Sequence, residues 1–156
     1  GQILDGIRRA ERFIELAGEI NTGMPVYVVN KVADALNTRG KSVKGVSILI
    51  LGVAYKKDID DLRESPALEL IELLTEKGAK VDYNDPYIPE AKGMAHYAFI
   101  MKSVPLNDEM IKKYDVVLIA TAHSDYDYKW LFTHASLIVD TRNAMKDFVD
   151  AKVVKA

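Results

Sequence analysis

The sequence predicts a doubly wound α/β domain, a Rossmann-like parallel sheet covered by helices on both faces, preceded by two helices. The chain has 156 residues, of which 49% are hydrophobic, enough to bury a sizeable core. From residue 43 onward, apolar runs of strand length alternate with amphipathic helical segments, the pattern of right-handed crossovers in a parallel sheet. The run ILILGVA at residues 48–54 has no polar side chain, as expected for a central strand buried on both faces. We therefore divide the chain into helices over residues 1–42 and an α/β domain over residues 43–156.

Two helices are predicted before the first strand. Apolar residues recur at helical spacing over residues 2–20, on a stripe wide enough to contact more than one surface. Gly23 and Pro25 end this pattern, and Pro25 suits the first turn of a second helix that Gly40 ends. We expect a homodimer formed through residues 2–37. The alternative is that both helices simply pack on the following domain.

The α/β part follows in regular order. Strands are predicted near residues 46–55, 79–86, 115–122 and 136–143, the last of these as the final strand, with helices near 65–77, 106–114 and 128–135. The segment 86–104 is ambiguous and is interpreted as a short helix followed by an edge strand. These lengths fit strands joined by helical crossovers in one parallel sheet.

Composition excludes several classes of function. The formal net charge is −2 and the basic residues are spread along the chain, so no nucleic-acid partner is indicated. No cysteine is present, which excludes disulfides and thiol nucleophiles within this chain. No apolar run reaches the roughly 18 residues of a membrane span, and no leader pattern precedes the first helix. We expect a cytoplasmic protein without a membrane partner.

Polar segments follow three of the predicted strands, at the edge of the sheet where such folds bind ligands. A dinucleotide-binding turn would need G-x-G-x-x-G. Here Gly52 is present, but Ala54 and Lys57 occupy the second and third glycine positions. The turn therefore predicts no ordinary NAD binding.

The loop after the first strand instead offers a stacking face and cations. Tyr55 could stack on a base, whereas Lys56, Lys57 and Arg63 could pair with phosphates or a carboxylate. Arg142 could add a cation from a neighbouring strand end. The alternative interpretation is a solvated loop with local ion pairs among its own charges.

No metal or catalytic residue is assigned. Asp58, Asp60 and Glu69 have the spacing of calcium ligands, but Arg63 occupies the position that needs glycine. His123 has neither a cysteine nor an evident serine to activate, so a hydrogen bond from this strand-end histidine to a loop is favoured.

Asp85 ends the second predicted strand, where a Rossmann-type acid would hold a ribose. Pro86 follows it and no glycine fingerprint precedes it, so a structural role in a turn is at least as well supported. Both alternatives for Asp85 stay open.

Four blocks of the sequence carry a resemblance to a known family. In chain order they are FIELAGEINTGMPVYVV, ILILGVAYKKDIDDLRESPALELIELL, DVVLIATAHSDY and IVDTRN. Over Phe13 to Asn143 the chain resembles the C-terminal part of the UDP-glucose/GDP-mannose dehydrogenase family. It is more similar to the UDP-N-acetylglucosamine 6-dehydrogenase branch, because the UDP-glucose branch tends to carry phenylalanine at the position of Tyr55. Gly1 to Glu11 do not match the family pattern.

The resemblance implies an NAD-dependent oxidation of a sugar C6 alcohol to a carboxylate. Family members have an N-terminal domain that binds NAD, a catalytic cysteine after it, a central dimerisation helix and a C-terminal domain that binds a UDP-sugar. This chain has neither the glycine fingerprint nor a cysteine. It thus resembles only the central helix and the UDP-sugar-binding domain, and we expect it to be inactive without its N-terminal NAD-binding partner domain.

The resemblance also implies roles for four residues. Tyr55 resembles the aromatic residue at the uracil, and Lys56 the lysine beside it in the substrate site. Arg142 resembles an arginine near the sugar or the diphosphate, and Arg63 one that reaches toward the cofactor. Two alternatives are a free-standing nucleotide-binding or dimerisation module without catalysis and an unrelated α/β domain with no preference for uridine.

Overall fold

The computed structural model describes residues 24–54, 57–58, 65–92 and 100–156. The helices are α1 over residues 24–37, α2 (Pro66–Glu76), α3 (Asp108–Ile111) and α4 (Tyr128–His134). The strands are β1 (Ser47–Leu51), β2 (Lys80–Asn84), β3 (Glu90–Lys92), β4 (Ile100–Lys102), β5 (Val116–Ile119), β6 (Ile138–Asp140) and β7 (Val153–Lys155). The predicted helix over residues 2–20 lies outside the described residues.

Five strands form one parallel sheet in the order β2-β1-β5-β6-β7. Ile48 of β1 lies opposite Val81 of β2 on one side and Val116 of β5 on the other. The chain first adds β2 on one side of β1 and then returns to add β5 on the other, so the strand order reverses between β1 and β5. Ligands of such sheets bind beyond the carboxyl ends of the strands at this point. The predicted doubly wound parallel sheet is confirmed.

Alternation along the central strand divides the core into two layers. Ile48 and Ile50 pack with α1 and α2 on one face, and Leu49 and Leu51 pack with α3 and α4 on the other. All four side chains are at most 1% exposed. This burial explains why β1 is a continuous apolar run rather than an alternating one.

Helix α1, the second of the two predicted helices, contributes to this core. Val28, Val29, Val32 and Leu36 of α1 are buried in the same cluster as Ile48. The described part of the predicted second helix therefore packs on the α/β domain, as the alternative interpretation of the helices required. The division at residue 43 stays a prediction.

The start and end of α2 follow local chemistry. Ser65 is the N-cap, where its Oγ accepts a hydrogen bond from the backbone N–H of Ala67, and Pro66 occupies the first turn. Gly78 follows the helix with φ of +93°, a conformation that glycine adopts without steric cost.

One prediction about the strands was wrong, because the strand at 136–143 is not the last one: β7 pairs in parallel with β6 and extends the sheet. The predicted edge strand near residue 100 is confirmed as β4, and the short helix predicted before it lies outside the described residues. β4 pairs with β3, which was not predicted, in a separate antiparallel ribbon. Both β3 and β7 have only three residues, which is too short for a hydrophobic period to identify them.

Within the part of the chain that the structure describes, no helix is long and apolar enough to cross a membrane.

Candidate functional site

The carboxyl ends of β1 and β5 approach each other closely at one edge of the sheet. Gly52 follows β1 with φ of +81°, and a Cβ added there would lie 2.5 Å from both the Cβ and the carbonyl oxygen of Thr121. Thr121 in turn donates a hydrogen bond from Oγ1 to the carbonyl of Ala54 at 2.7 Å. The segments after β1 and β5 are thus held together where the strand order reverses.

A cleft of about 400 Å³ opens beside this contact. It lies between the first turn of α1, the start of α2 and the ends of β5 and β6. Its lining includes Met24, Val28, Ser65, Ala67, Thr121, Thr141 and Arg142. The wall is apolar on the side of α1 and polar at the strand ends, as is usual for small-molecule sites.

Among the described residues that line the cleft, Arg142 supplies a cation. Its Nε donates a hydrogen bond to the carbonyl oxygen of Ala120 at 2.8 Å, which orients the guanidinium. The buried carboxylate of Asp140 accepts hydrogen bonds from the backbone N–H groups of Arg142, Ala144 and Met145 and thereby fixes the turn that carries the arginine.

The start of α2 faces the same cleft. Ser65 and Ala67 line it, and the N-terminal end of an 11-residue helix carries a partial positive charge. A helix N-terminus beside an arginine favours a phosphate or carboxylate group. The cleft can therefore bind an anionic ligand with an apolar part.

Asp85, after β2, and His123, after β5, form a buried pair. Asp85 is 2% exposed and His123 is fully buried, and His123 Nε2 lies 2.9 Å from Asp85 Oδ2. Asp85 Oδ2 also accepts hydrogen bonds from the backbone N–H groups of Val53 and Ala54, and Oδ1 accepts one from Tyr87 N–H. Asp85 thus has a structural role in the turns after β1 and β2, one of the two alternatives left open for it.

His123 reaches the loop after β1 with its other nitrogen. The backbone N–H of Asp58 donates a hydrogen bond to His123 Nδ1 at 2.7 Å. The hypothesis of a strand-end histidine bonded to a loop is confirmed.

Asp58 connects the same two loops through its carboxylate. The two oxygens accept hydrogen bonds from the backbone N–H and the hydroxyl of Ser124, each at 2.7 Å. These bonds, the backbone one above all, lower the pKa of Asp58 below the usual value for aspartate. The ionised carboxylate of Asp58 therefore links the loop after β1 to the loop after β5.

Tyrosines surround the histidine. The rings of Tyr87 and Tyr126 lie 4.9 Å and 5.9 Å from the ring of His123, centroid to centroid. The hydrogen bond from Tyr87 to Asp125 raises the pKa of Tyr87 to about 12, and burial raises that of Tyr126 further. Both hydroxyls stay protonated donors at neutral pH.

Of the residues predicted for the site, the structure places Arg142 in the cleft. Tyr55, Lys56 and Arg63 lie outside the described residues. Sequence reasoning missed the link between Asp58 and Ser124 and the role of Asp140. The polar residues after each strand indicate that a site lies at this edge, but they do not show which hydrogen-bond partner each side chain has.

The family comparison matches most of the α/β domain. Residues 49–147 match the model of the UDP-glucose/GDP-mannose dehydrogenase family, UDP binding domain. The UDP-N-acetyl-D-glucosamine 6-dehydrogenase of Pseudomonas aeruginosa is 31% identical over 114 residues, which are 72% of this chain and 26% of that protein. The UDP-N-acetyl-D-mannosamine dehydrogenase of Methanococcus maripaludis is 34% identical over 112 residues, 72% of this chain and 24% of that protein.

Solved structures agree with this match. A UDP-D-ManNAc dehydrogenase from Pyrococcus horikoshii superposes with a TM-score of 0.73 at 25% identity, over 91% of this chain and 32% of that one. The UDP-N-acetyl-mannosamine dehydrogenase Cap5O of Staphylococcus aureus gives 0.67 at 27% identity, over 95% and 34%. The chain spans about a quarter of the length of the curated relatives it matches. It belongs to the UDP-glucose/GDP-mannose dehydrogenase family, of which it contains the UDP binding domain.

Proposed function

We propose that this chain is the UDP-sugar-binding portion of an NAD-dependent UDP-sugar 6-dehydrogenase. The observation that carries the proposal is the cleft at the carboxyl edge of the sheet, where Arg142 and the start of α2 face an apolar wall from α1. A cation and a helix N-terminus suit a diphosphate, and an apolar wall suits the rest of a nucleotide. Calorimetric titration tests the proposal, since UDP should bind and GDP should not.

The chemistry of oxidation requires groups that this chain does not contain. It has no cysteine to form a covalent intermediate with the sugar C6 and no glycine fingerprint to hold NAD. In the proposed enzyme an N-terminal domain holds NAD and the cysteine follows that domain, so this N-terminal portion is the partner of the chain. We infer that this chain contributes substrate binding and has no dehydrogenase activity alone, with Arg63 facing the cofactor in the assembled enzyme.

The substrate is proposed to be UDP-N-acetylglucosamine or a related UDP-hexose. This rests on the similarity to relatives named UDP-N-acetyl-D-glucosamine 6-dehydrogenase and UDP-N-acetyl-D-mannosamine dehydrogenase. In this proposal Tyr55 stacks on the uracil and Lys56 and Arg142 contact the diphosphate or the sugar.

Replacement of Arg142 by alanine is expected to weaken UDP binding. The variant loses a charge-assisted hydrogen bond to the diphosphate, about 1.5–3 kcal/mol of binding free energy. Calorimetry with UDP measures the change. Arg39→Ala removes an exposed arginine from the turn after α1 and serves as the control. Equal affinities of both variants would contradict the role of Arg142.

Replacement of Tyr55 by alanine is expected to weaken UDP binding by about 1–3 kcal/mol, as for base stacking on aromatic side chains. Tyr55→Phe keeps the stacking face and should retain most of the affinity. Titration of both variants with UDP gives the comparison. An alanine variant that binds as tightly as the unaltered chain would show that Tyr55 is not at the base.

A homodimer through residues 2–37 is the proposed assembly. On α1, Val26 and Tyr27 are about half exposed, whereas Val28 and Val29 are buried against the core, so α1 has apolar side chains left for a partner. Sedimentation equilibrium should show a dimer at micromolar concentration, and Tyr27→Glu should shift it toward monomer. A chain that stays monomeric at high micromolar concentration would reject the dimer.

A further inference from the structure

The buried pair of Asp85 and His123 cannot touch a ligand, because both side chains are fully buried. A buried ionisable pair is costly unless its hydrogen bonds are satisfied. Here His123 uses both ring nitrogens, one toward Asp85 and one toward Asp58. Any role in ligand binding therefore acts through the backbone that the pair holds.

The hydrogen bonds determine where the proton of His123 lies. The backbone N–H of Asp58 can only donate, so Nδ1 must accept with its lone pair. The single proton of the neutral ring is then on Nε2, which donates it to Asp85 Oδ2 at 2.9 Å. This tautomer makes His123 a rigid bridge from a buried carboxylate to a loop amide.

The same pair holds both described ends of one segment. Asp85 Oδ2 accepts from the N–H groups of Val53 and Ala54 at 2.8 Å and 3.1 Å. His123 Nδ1 accepts from Asp58 N–H at 2.7 Å. Asp58 has φ of +62°, a left-handed conformation that non-glycine residues keep only when surrounding bonds hold it. The backbone of Val53 and Ala54 is thus held by one buried carboxylate, and that of Asp58 by one imidazole.

We propose that His123 is a positioning residue of the nucleotide site: as the Nε2–H tautomer it holds the backbone of Asp58 and bonds to Asp85, which holds the backbone of Val53 and Ala54. The inference rests on the proposed function, because Tyr55 and Lys56 lie between these residues in the sequence. The rings of Tyr87 and Tyr126 pack around the imidazole and the hydroxyl of Tyr128 donates to the carbonyl of His123. These contacts keep the ring in one orientation.

Two variants of His123 separate its two hydrogen bonds. In His123→Asn, Oδ1 takes the place of Nδ1 and can still accept from Asp58 N–H, whereas the bond to Asp85 is lost. In His123→Gln, the amide N–H takes the place of Nε2–H and can still donate to Asp85, whereas the acceptor for Asp58 is lost. His134→Gln is the matched control, because His134 lies at the end of α4 and bonds to the carbonyl of Trp130.

Three measurements on the full chain are compared for each variant: the UDP dissociation constant by calorimetry, the thermal midpoint, and the hydrogen exchange of the Asp58 amide by NMR. We expect a slowly exchanging Asp58 amide in the unaltered chain and in His123→Asn, and fast exchange in His123→Gln. UDP should bind about two- to tenfold more weakly to His123→Gln than to His123→Asn, the usual effect of one hydrogen bond. His134→Gln should bind as the unaltered chain does.

The proposal is overturned if the two His123 variants bind UDP equally, or if affinity follows the thermal midpoint rather than the protection of the Asp58 amide. A chain that binds no uridine nucleotide at all rejects the proposed function. In that case the amide exchange still decides whether His123 holds the backbone of Asp58, since protection that is kept in the asparagine variant and lost in the glutamine variant supports it. An unprotected Asp58 amide in the unaltered chain rejects it.

Discussion

Replacement of Gly52 by alanine is expected to destabilise the protein by about 2–5 kcal/mol. The added Cβ would lie 2.5 Å from the backbone carbonyl oxygen of Thr121, which belongs to the neighbouring strand end and cannot move without displacing β5. The left-handed backbone at φ of +81° costs about 1–2 kcal/mol for a non-glycine residue, and the forced shift adds about 1–3 kcal/mol. Urea unfolding measures the change.

Gly45→Ala is the matched control. Gly45 has a similar φ of +87°, but nothing lies within 4 Å of the position of its added Cβ. Its substitution should cost only the backbone term, about 1–2 kcal/mol. If both variants lose the same stability, the close approach of the two strand ends is not a constraint on the fold.

Replacement of Asp85 by alanine is expected to cost about 3–5 kcal/mol. The variant removes the acceptor of the N–H groups of Val53, Ala54 and Tyr87 and of His123 Nε2. Buried donors without an acceptor are strongly destabilising, and losing one member of a buried pair costs about as much. UDP affinity should fall as well, because the backbone of Val53 and Ala54 is no longer held. Thermal or urea unfolding, followed by calorimetry, measures both effects.

Asp125→Ala serves as the control for this variant. Asp125 is exposed and accepts a hydrogen bond from the hydroxyl of Tyr87 at 2.8 Å, so its removal should cost less than about 1 kcal/mol. Asp85→Asn keeps the shape of the side chain but replaces one acceptor oxygen by an NH₂ group that faces the N–H donors. We expect an intermediate loss of stability. An alanine variant of Asp85 as stable as that of Asp125 would contradict the structural role of the buried carboxylate.

The fold was predictable because its central strands obey a simple rule. β1 and β5 are buried on both faces and appear in the sequence as continuous apolar runs, and the helices between them carry caps that the sequence shows, such as Ser65 before Pro66. The short strands β3 and β7 were not predictable in the same way, since three residues cannot establish a period.

The sequence predicted at which edge of the sheet the candidate site lies, but not which hydrogen-bond partner each of its side chains has. The rule for parallel sheets located the ligand edge, and Arg142 lies there with its guanidinium anchored on Ala120. The bond from Asp58 N–H to His123 joins residues 65 apart in the sequence. Long-range polar contacts of this kind carry no signature in a local pattern of residues.

Calorimetric titration of this chain with UDP, UDP-N-acetylglucosamine, GDP and NAD measures recognition by the proposed UDP-sugar site without requiring catalysis. We expect binding of UDP and UDP-N-acetylglucosamine, a contribution of Arg142 to both, and no binding of GDP or NAD. Binding of GDP as tight as that of UDP, or binding of NAD in place of both uridine nucleotides, would contradict the assignment of the cleft to a UDP-sugar.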